Sequence, residues 1–275
     1  MDALVARQPI FDRRRSVYGY ELLFRSSETK NHFDGADAST ATQQVLSGVL
    51  LSIGLDQVVC GKKAFVNFND HLLSDGMHLD LPPQLTVIEI LETVQPTPEF
   101  VTVCRRIREQ GYMLALDDFD GAPELEPLTN VVQLIKVDIR ATPKPEQERL
   151  LRKYRPRGIK MLAEKIETYE EFEWARRAGY DYFQGYFFAR PAVLKSKQVA
   201  PSKLNCLQLL NELQAPELDI RRLKALIESD VALAYKLLRY VNSVMFAQRE
   251  EIRSIERALT IMGTNEIRRW VTLAT

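Results

Sequence analysis

Polar residues recur in this chain at the ends of short apolar segments, and their types define a chemistry. They are Asn67 in AFVNF, Glu89 in LTVIEIL, Asp117 and Asp118 after MLAL, Lys136 in LIKVD, Glu164 after MLA, and Gln184 after DYF. Burying one carboxylate in a strand costs on the order of several kcal/mol unless a partner charge or a metal ion compensates it. A single such residue is explained by a strand end that reaches solvent. The repetition indicates instead a common centre of carboxylates, carboxamides and one ammonium group.

Oxygen ligands without histidine or cysteine select a hard cation such as Mg²⁺ or Mn²⁺. The histidines, His32, His71 and His78, do not cluster, which argues against structural zinc. A hard-cation site suits phosphodiester hydrolysis, because bound metal ions turn water into a nucleophile and neutralise the phosphate. A glycosidase that uses a pair of carboxylates is the other enzyme class considered for these residues. That class explains neither Lys136 nor Asn67.

Short apolar strands alternate with amphipathic helices from residue 3 to about residue 194, and these elements must position the polar side chains. Such alternation implies parallel strands, and a long series favours a closed α/β barrel with its active site at the C-terminal ends of the strands. The predicted strands are Ala64–Phe68, Leu85–Leu91, Met113–Leu116, Leu134–Ile139, Met161–Ala163 and Tyr182–Phe183. The predicted helices are Asp37–Ile53, Phe100–Glu109, Glu146–Tyr154 and Tyr169–Ala178.

The first two apolar runs, ALVARQPIF and VYGYELLF, are separated only by the polar turn DRRRS. This gap suits a hairpin and is too short for a crossover helix. One strand of the barrel is therefore predicted to run antiparallel to the others.

The C-terminal part of the chain has a different pattern. The segment Val193–Pro201 is polar and ends in proline, which predicts a linker. After it only helices are predicted, two of them capped by Asp219 and Asp230. We therefore divide the chain into a barrel domain (1–195), a linker (196–202) and a helical domain (203–275). The apolar face of the last predicted helix has no matching partner in the sequence, so we expect the helical domain to be incomplete. The predicted helices are Leu204–Leu213, Ile220–Glu228, Val231–Val241, Ile255–Ile261 and Ile267–Leu273.

Composition and charge exclude several classes of protein. A hydrophobic content of 45% and a charged content of 27% are typical of a globular chain, not of a disordered or coiled-coil one. With 37 basic and 37 acidic side chains, the net charge of zero gives no support to general nucleic-acid or membrane binding. The longest apolar run, Val45–Leu55, is too short to cross a bilayer, and the N-terminus does not resemble a signal peptide. Three cysteines without CxxC spacing favour a reduced, cytoplasmic protein.

The polar residues, taken in order, resemble the EAL-domain family of cyclic-di-GMP phosphodiesterases. In YELLFR, Glu21, Leu23 and Arg25 fit the ExLxR signature of that family. The motifs that follow are FVNF, EILE, DDF, KVD, AEKIET and FQGYFFARP, so the resemblance extends over about residues 1–195. It implies a TIM-like (β/α)₈ barrel with one antiparallel strand. It also implies hydrolysis of cyclic-di-GMP to linear pGpG in bacterial second-messenger signalling.

The resemblance implies a role for each matching residue. One metal ion, Mg²⁺ or Mn²⁺, would be held by Glu21, Asn67, Glu89 and Asp117, and Asp117 would bridge to a second ion that Asp118 helps to bind. Lys136 would orient or activate the attacking water, and Glu164 would act as general base or water ligand. Arg25 would bind a substrate phosphate, and Gln184 would line the site. Glu92, Asp138 and Glu167 would brace the surrounding loops, with surface salt bridges as the alternative for these three.

The loop after Asp118 departs from the family pattern. Active members have Gly-Thr-Gly after Asp-Asp-Phe, whereas this chain has Asp120, Gly121 and Ala122. Because aspartate tolerates the backbone angles of glycine poorly, we expect this loop to follow a different path. In the family the loop supports the second metal and couples activity to dimerisation, so a homodimer through the barrel is an implied partner. The departure motivates an alternative function, a catalytically weak or inactive cyclic-di-GMP receptor or scaffold that acts through protein contacts.

The stretches ESDVALAYKLLRYVNSVMF and IRSIERALTIMG resemble the start of an HDOD domain, a helical relative of the HD phosphohydrolases. An apolar stripe at Leu233, Leu237, Leu238 and Val241 also fits an ordinary helical core. Its position directly after an EAL-like barrel matches a pairing known in bacterial signalling proteins. Because residues 203–275 contain no histidine, HD-type metal hydrolysis there is excluded. The resemblance implies an output or interaction module with an unidentified protein partner.

Overall fold

Nine strands form one sheet within the residues that the computed structural model describes, which are 2–24, 42, 45–46, 49, 54–189, 192–197, 201–213, 215, 218–243 and 251–275. The strand order is β2-β3-β4-β5-β6-β7-β8-β1, and β1 also pairs with β2, so that eight strands close into a barrel. The strands are β1 Asp2–Asp12, β2 Val17–Phe24, β3 Lys63–Phe68, β4 Thr86–Ile90, β5 Met113–Leu116, β6 Leu134–Asp138, β7 Lys160–Glu164, β8 Tyr182–Phe183 and β9 Ala192–Lys197.

Strand β1 is the antiparallel member of the barrel. It pairs antiparallel with both β2 and β8, whereas consecutive strands from β2 to β8 are parallel. The hairpin turn is fixed by Asp12, whose Oδ1 accepts hydrogen bonds from the backbone N–H groups of Arg14 (2.8 Å) and Ser16 (2.9 Å). The predicted barrel with one antiparallel strand is thus confirmed.

Strand β9 corrects the prediction of a linker over Val193–Pro201. Ala192–Lys197 pairs antiparallel with the first half of β1, from Asp2 to Arg7. The run AVLKSK is too polar to be recognised as a strand by itself, but β1 extends beyond β8 and offers it a free edge. The interpretation of this segment as a linker was wrong up to Lys197, and the strand crosses the predicted boundary at residue 195.

Helices follow the parallel strands, and local signals fix their ends. A capping box joins Thr168 and Glu171 at the start of one helix, and Gly179 ends it in the left-handed conformation. The predicted helix Asp37–Ile53 lies largely outside the described residues, although Val45, Leu46 and Val49 are described and buried. The helices of this part are α1 Leu55–Val59, α2 Asp70–Ser74, α3 Pro98–Glu109, α4 Lys144–Tyr154 and α5 Tyr169–Ala178, with 3-10 turns at Met77–Asp80, Pro123–Asn130 and Arg155–Arg157.

The C-terminal part is helical, as predicted. Asp219 and Asp230 are confirmed as N-caps, since each side chain accepts hydrogen bonds from two backbone N–H groups in the first turn of its helix. The last two predicted helices are joined through Gly263, whose φ of 71° is not helical. No helix in the described ranges is long and apolar enough to span a membrane. The helices are α6 Lys203–Leu213, α7 Ile220–Glu228, α8 Val231–Val241 and α9 Ile255–Ala274.

A buried polar cluster joins the barrel to the C-terminal helices. Asp80, which ends the 3-10 turn after α2, has no exposed surface. Its Oδ1 accepts a hydrogen bond from the hydroxyl of Tyr240 (3.1 Å) and lies 3.4 Å from Nε of Arg269. Glu266 binds both Tyr240 and Arg269. We call Asp80, Tyr240, Glu266 and Arg269 the Asp80 cluster.

Candidate functional site

Side chains alternate between the two faces of a strand, and this alternation explains how the polar residues come together inside the barrel. An apolar layer inside the barrel is formed by one inward-facing residue from each of several strands. Because side chains two residues apart lie on the same face of a strand, the next inward position along each strand belongs to a second layer. In that layer Asn67 follows Phe65, Glu89 follows Val87, Asp117 follows Ala115, Lys136 follows Leu134, and Glu164 follows Leu162.

Lys136 lies at the centre of the polar layer with 1% of its surface exposed. Its Nζ is 2.6 Å from an oxygen of Glu89, 2.7 Å from Asp117, and 3.0 Å from Glu164. Glu21 is the fourth carboxylate around it, at 3.9 Å. Four residues predicted to bind a metal ion or to act as a base are therefore gathered around one ammonium group.

The electrostatics of this ring are unbalanced. Burial alone would lower the pKa of Lys136, but the surrounding carboxylates raise it well above its usual value. Burial also raises the pKa of Glu89 and of Glu164 well above the usual range, and Lys136 only partly offsets this. One ammonium group does not offset the burial of these carboxyl groups, and a further cation in the ring would stabilise their ionised forms.

Two carboxamides complete the ring through Glu21. The Nε2 of Gln184 donates to one oxygen of Glu21 (2.5 Å), and the Nδ2 of Asn67 donates to the other (3.3 Å). Because the amide nitrogens face Glu21, the amide oxygens point away from it. The Oδ1 of Asn67 and the Oε1 of Gln184 are buried without a hydrogen-bond partner among the described residues. The Oε2 of Glu164 is also buried without a hydrogen-bond partner among the described residues. Unpaired buried oxygens are costly, and a hard cation would satisfy them.

Asp117, Asp118 and Glu164 form a carboxylate triad. One oxygen of each lies within 4.8 Å of the others, and the side chains range from buried to exposed. An oxygen-only set of this kind fits Mg²⁺ or Mn²⁺, and the unpaired oxygens of the ring support that fit. The sequence assigned Glu164 to the base or water-ligand role, whereas the geometry also makes it a potential metal ligand.

The loop after the triad uses glycine one position later than the family pattern. Asp120 accepts a hydrogen bond from the N–H of Ala122 (2.9 Å), and Gly121 takes the positive φ of 97°. This φ favours glycine, whereas the guanidinium of Arg149, 2.6 Å from where a Cβ would lie, belongs to a flexible, exposed side chain that can move. The backbone before it is anchored to the sheet, since the N–H of Phe119 donates to the carbonyl of Lys136 (2.9 Å).

Lys165 is a site residue that the sequence reasoning missed. Its Nζ lies 2.6 Å from Oδ2 of Asp138 and 3.4 Å from Oδ2 of Asp118. Asp138 is held in place because its Oδ1 accepts hydrogen bonds from the N–H groups of Arg140 and Ala141. The position of Lys165 directly after Glu164, at a strand end, was the signal that could have found it.

The remaining predicted site residues lie further out. Glu167 is exposed and forms an ion pair with Arg140, which is also exposed. Glu92 is exposed in the turn after β4 and has no ion pair with any described residue. Arg25 lies outside the described residues.

The site opens into a pocket with a volume of about 350 Å³. Such a volume is in the range of small-molecule binding sites. Asn67 and Glu89 do not line the pocket, whereas the half-exposed ring of Tyr186 lies at its wall. The predicted site residues that line it are Glu21, Asp117, Asp118, Lys136, Glu164, Glu167 and Gln184.

Comparison with known proteins shows two matches along the chain and several relatives. Residues 4–191 match the EAL domain family, and residues 202–275 match the HDOD domain family. The chain is 38% identical to the cyclic di-GMP phosphodiesterase CdgJ of Vibrio cholerae, over 98% of this chain and 63% of that protein. It is 37% identical to the uncharacterized protein YuxH of Bacillus subtilis, over 98% of this chain and 67% of that protein. The chain thus spans about two thirds of the length of these relatives.

Solved structures show the same barrel. The manganese and cyclic-di-GMP complex of BlrP1 from Klebsiella pneumoniae is 26% identical, with a TM-score of 0.54, over 70% of this chain and 56% of that chain. An EAL domain protein from Listeria monocytogenes is 22% identical, with a TM-score of 0.55, over 69% of this chain and 88% of that chain.

Proposed function

The chain belongs to the EAL-domain family, and from this premise we propose that it hydrolyses cyclic-di-GMP to linear pGpG in a metal-dependent reaction. The observation that carries the proposal is the buried ring around Lys136, which combines an excess of carboxylates with unpaired oxygens and opens into a pocket. The similarity to CdgJ, a cyclic di-GMP phosphodiesterase by name, supports the choice of substrate.

The metal site of this proposal uses the residues of the ring and the triad. Mg²⁺ or Mn²⁺ bound there supplies a water-derived nucleophile and neutralises charge on the scissile phosphate. The residues that would hold it are Glu21, Asn67, Glu89, Asp117 and Asp118, with Glu164 as a further ligand or base. Gln184 positions Glu21 by donating its amide hydrogen bond.

Lys136 has the position of a catalytic group. Its ammonium contacts Asp117 and Glu164 at the wall of the pocket and remains charged, because the carboxylates raise its pKa. In this place it can orient the attacking water and stabilise negative charge on the phosphate. Glu164 is the neighbouring carboxylate that can accept the proton of that water.

The wall of the pocket also suits a nucleotide base. The ring of Tyr186 is 53% exposed and lies beside Gln184 and Gly185. Aromatic rings in this situation stack on nucleobases. The chain has no net charge and its ring is acidic, so a dianionic dinucleotide is expected to need the metal ion for binding as well as for hydrolysis.

The first test is titration of cyclic-di-GMP into the protein with Ca²⁺, followed by chromatography of the products after Ca²⁺ is replaced by Mg²⁺ or Mn²⁺. We expect binding with Ca²⁺, and formation of pGpG with Mg²⁺ or Mn²⁺ that EDTA abolishes. Glu21→Ala should remove turnover, because Glu21 joins Gln184 and Asn67 to the ring. Glu148→Ala, on the exposed side of α4, is the matched control and should retain full activity.

The alternative function is a receptor that binds cyclic-di-GMP without hydrolysing it. The ion pair between Lys165 and Asp118 favours this alternative, because it occupies a carboxylate of the triad. Binding with Ca²⁺ but no product with Mg²⁺ or Mn²⁺ would identify the receptor. Absence of binding would contradict both functions.

The C-terminal helices are assigned in the same proposal to an output or interaction module of the HDOD type. The Asp80 cluster supports this assignment, because it gives the helices a buried polar contact with the barrel through which a signal can pass. The proposal also includes two assemblies. The chain would form a homodimer through the barrel, and the C-terminal helices would bind a protein partner.

A further inference from the structure

Lys165 has an unusual backbone conformation at the edge of the triad. Its φ is 58°, which is rare for a residue with a side chain. The loop that carries it is fixed on both sides of Ile166, whose N–H donates to the carbonyl of Gln184 (3.0 Å) and whose carbonyl accepts from Phe187 (3.0 Å). The surrounding structure therefore maintains a conformation that the residue itself disfavours. Such outliers are often associated with function.

The conformation directs the ammonium of Lys165 to two carboxylates with different surroundings. Asp138 is half-buried and anchored by two backbone hydrogen bonds, and its contact with Lys165 is the shorter one, at 2.6 Å. Asp118 is exposed and belongs to the triad, and its contact is 3.4 Å. Lys165 is thus attached firmly to Asp138 and loosely to Asp118.

Every carboxylate of the triad is consequently paired with a lysine. Asp117 and Glu164 contact Lys136, which is buried and enclosed by the ring. Asp118 contacts Lys165, whose side chain is 53% exposed and can move. A divalent cation that enters the triad meets two ammonium groups, and Lys165 is the one that can leave.

We propose that Lys165 is a tethered cation that competes with a divalent metal ion for Asp118, and that it sets the metal concentration at which the triad is occupied. The inference rests on the proposed function, because it requires the triad to bind a metal ion. While Lys165 contacts Asp118, it supplies part of the positive charge that the ion would supply. When the ion binds, Lys165 keeps its contact with Asp138 and gives up Asp118. Lys165 is in this sense a positioning residue of the metal site.

The test compares Mn²⁺ binding by three variants of the full chain, with free Mn²⁺ measured by electron paramagnetic resonance. Lys165→Met removes the charge and nearly keeps the length of the side chain. We expect this variant to bind Mn²⁺ at the triad about tenfold more tightly, since a unit charge a few ångströms from a divalent ion is worth about that much in water. Lys165→Arg retains the charge and should bind Mn²⁺ as the unchanged protein does.

Lys160→Met is the matched control. Lys160 lies at the other end of β7, pairs with Asp181, and is 55% exposed, compared with 53% for Lys165. Lys160→Met lowers the net charge of the chain by one unit, as Lys165→Met does, so it corrects for any general effect of charge on Mn²⁺ binding. Its Mn²⁺ affinity should stay within about twofold of that of the unchanged protein.

The outcomes separate this inference from the proposed function. Equal Mn²⁺ affinity of Lys165→Met and the unchanged protein, with pGpG still formed, would overturn the role of Lys165 alone. Equal tightening by Lys165→Met and Lys165→Arg would overturn it as well, because the charge would then be irrelevant. If none of the proteins binds Mn²⁺, both the inference and the metal-dependent function are wrong.

Discussion

Lys136 is the residue on which the integrity of the ring depends. It is the shared partner of four carboxylates, two of which have raised pKa values because they are buried. Removing one partner from a buried ion pair costs about 3–5 kcal/mol, since the other charge remains without compensation. The lysine thus has a structural role in the metal-free protein in addition to its proposed catalytic role.

Lys136→Met should therefore lose both stability and turnover, but metal ions should affect the two losses differently. Without metal we expect the free energy of unfolding to fall by about 3 kcal/mol, as measured by urea denaturation. Mn²⁺ should restore part of this loss, because it neutralises the same carboxylates. It should not restore pGpG formation. Turnover that returned together with stability would show that Lys136 has only a structural role.

Lys153→Met is the control for this variant. Lys153 contacts Glu126 at 2.8 Å on the surface, outside the pocket. Because exposed ion pairs contribute little, its loss should leave both stability and turnover nearly unchanged.

The sequence was sufficient to predict the ring but not the contact made by Lys165. Asn67, Glu89 and Lys136 could be found because each polar residue interrupts an apolar strand, which is visible in the sequence. The position of Lys165 depends on a positive φ and on the loop around Ile166, and neither property leaves a periodic pattern. The pairing of Lys165 with Asp118, which is 47 residues away, could be seen only in the folded chain.

At the scale of the elements, the loops after β7 and β8 support the site by packing against one another. Gly185, in the loop after β8, has a φ of 153°, and a Cβ there would lie 2.1 Å from the carbonyl oxygen of Ile166. The contact brings together the loop with Lys165 and the loop with Gln184 and Tyr186. No side chain can be added at Gly185 without separating them.

Gly185→Ala is expected to destabilise the protein by about 2 kcal/mol and to weaken binding of cyclic-di-GMP in Ca²⁺, because both walls of the pocket must move. The measurements are urea denaturation and calorimetric titration. Gly158→Ala is the control, since Gly158 has a φ of 82° but a Cβ there would meet no atom within 4 Å. Gly158→Ala should cost only the backbone strain, about 1 kcal/mol, and leave binding unchanged. Equal effects of the two variants on binding would contradict the support by Gly185.

The elements themselves were predicted where local signals were strong. Met113–Leu116 and Tyr182–Phe183 have the predicted bounds. The helix Tyr169–Ala178 has them too, and it lies between its capping residues Thr168 and Gly179. Strand β9 was missed because its stability comes from the free edge of β1, which is distant in sequence. Pairing of this kind depends on the tertiary structure more than on the intrinsic preference of the segment.

At the scale of the whole molecule, the Asp80 cluster is a buried polar contact between barrel and helices. Asp80 and Tyr240 are 160 residues apart in the sequence, so no local pattern indicated the contact. The pKa of Asp80 is raised to about 7, chiefly by burial and in part by the nearby Glu266, whereas Arg269 and the hydroxyl of Tyr240 oppose the shift. The cluster therefore makes the contact between barrel and helices sensitive to pH.

The direction of this pH dependence follows from the two states of Asp80. In the unfolded chain the carboxyl has a pKa near 4, so between about pH 4 and pH 7 the folded chain retains a proton that the unfolded chain has released. The contribution of Asp80 to stability is then largest below pH 4 and declines as the pH rises towards 7, by up to about 1.4 kcal/mol per pH unit. Asparagine at this position resembles the protonated carboxyl group, and its contribution to stability does not change with pH.

Asp80→Asn should consequently gain stability relative to the unchanged protein as the pH rises from 5 to 7.5, by more than about 1 kcal/mol. Urea denaturation at the two pH values measures this difference. His78 and Tyr112 also lie near the cluster on the barrel side, and burial lowers the pKa of His78, but both residues are present in both proteins and cancel in the comparison. If the stability difference between the two proteins stayed constant over this range, Asp80 would be ionised throughout, with Arg269 as a sufficient partner. The contact between barrel and helices would then be a fixed ion pair and not a titrating one.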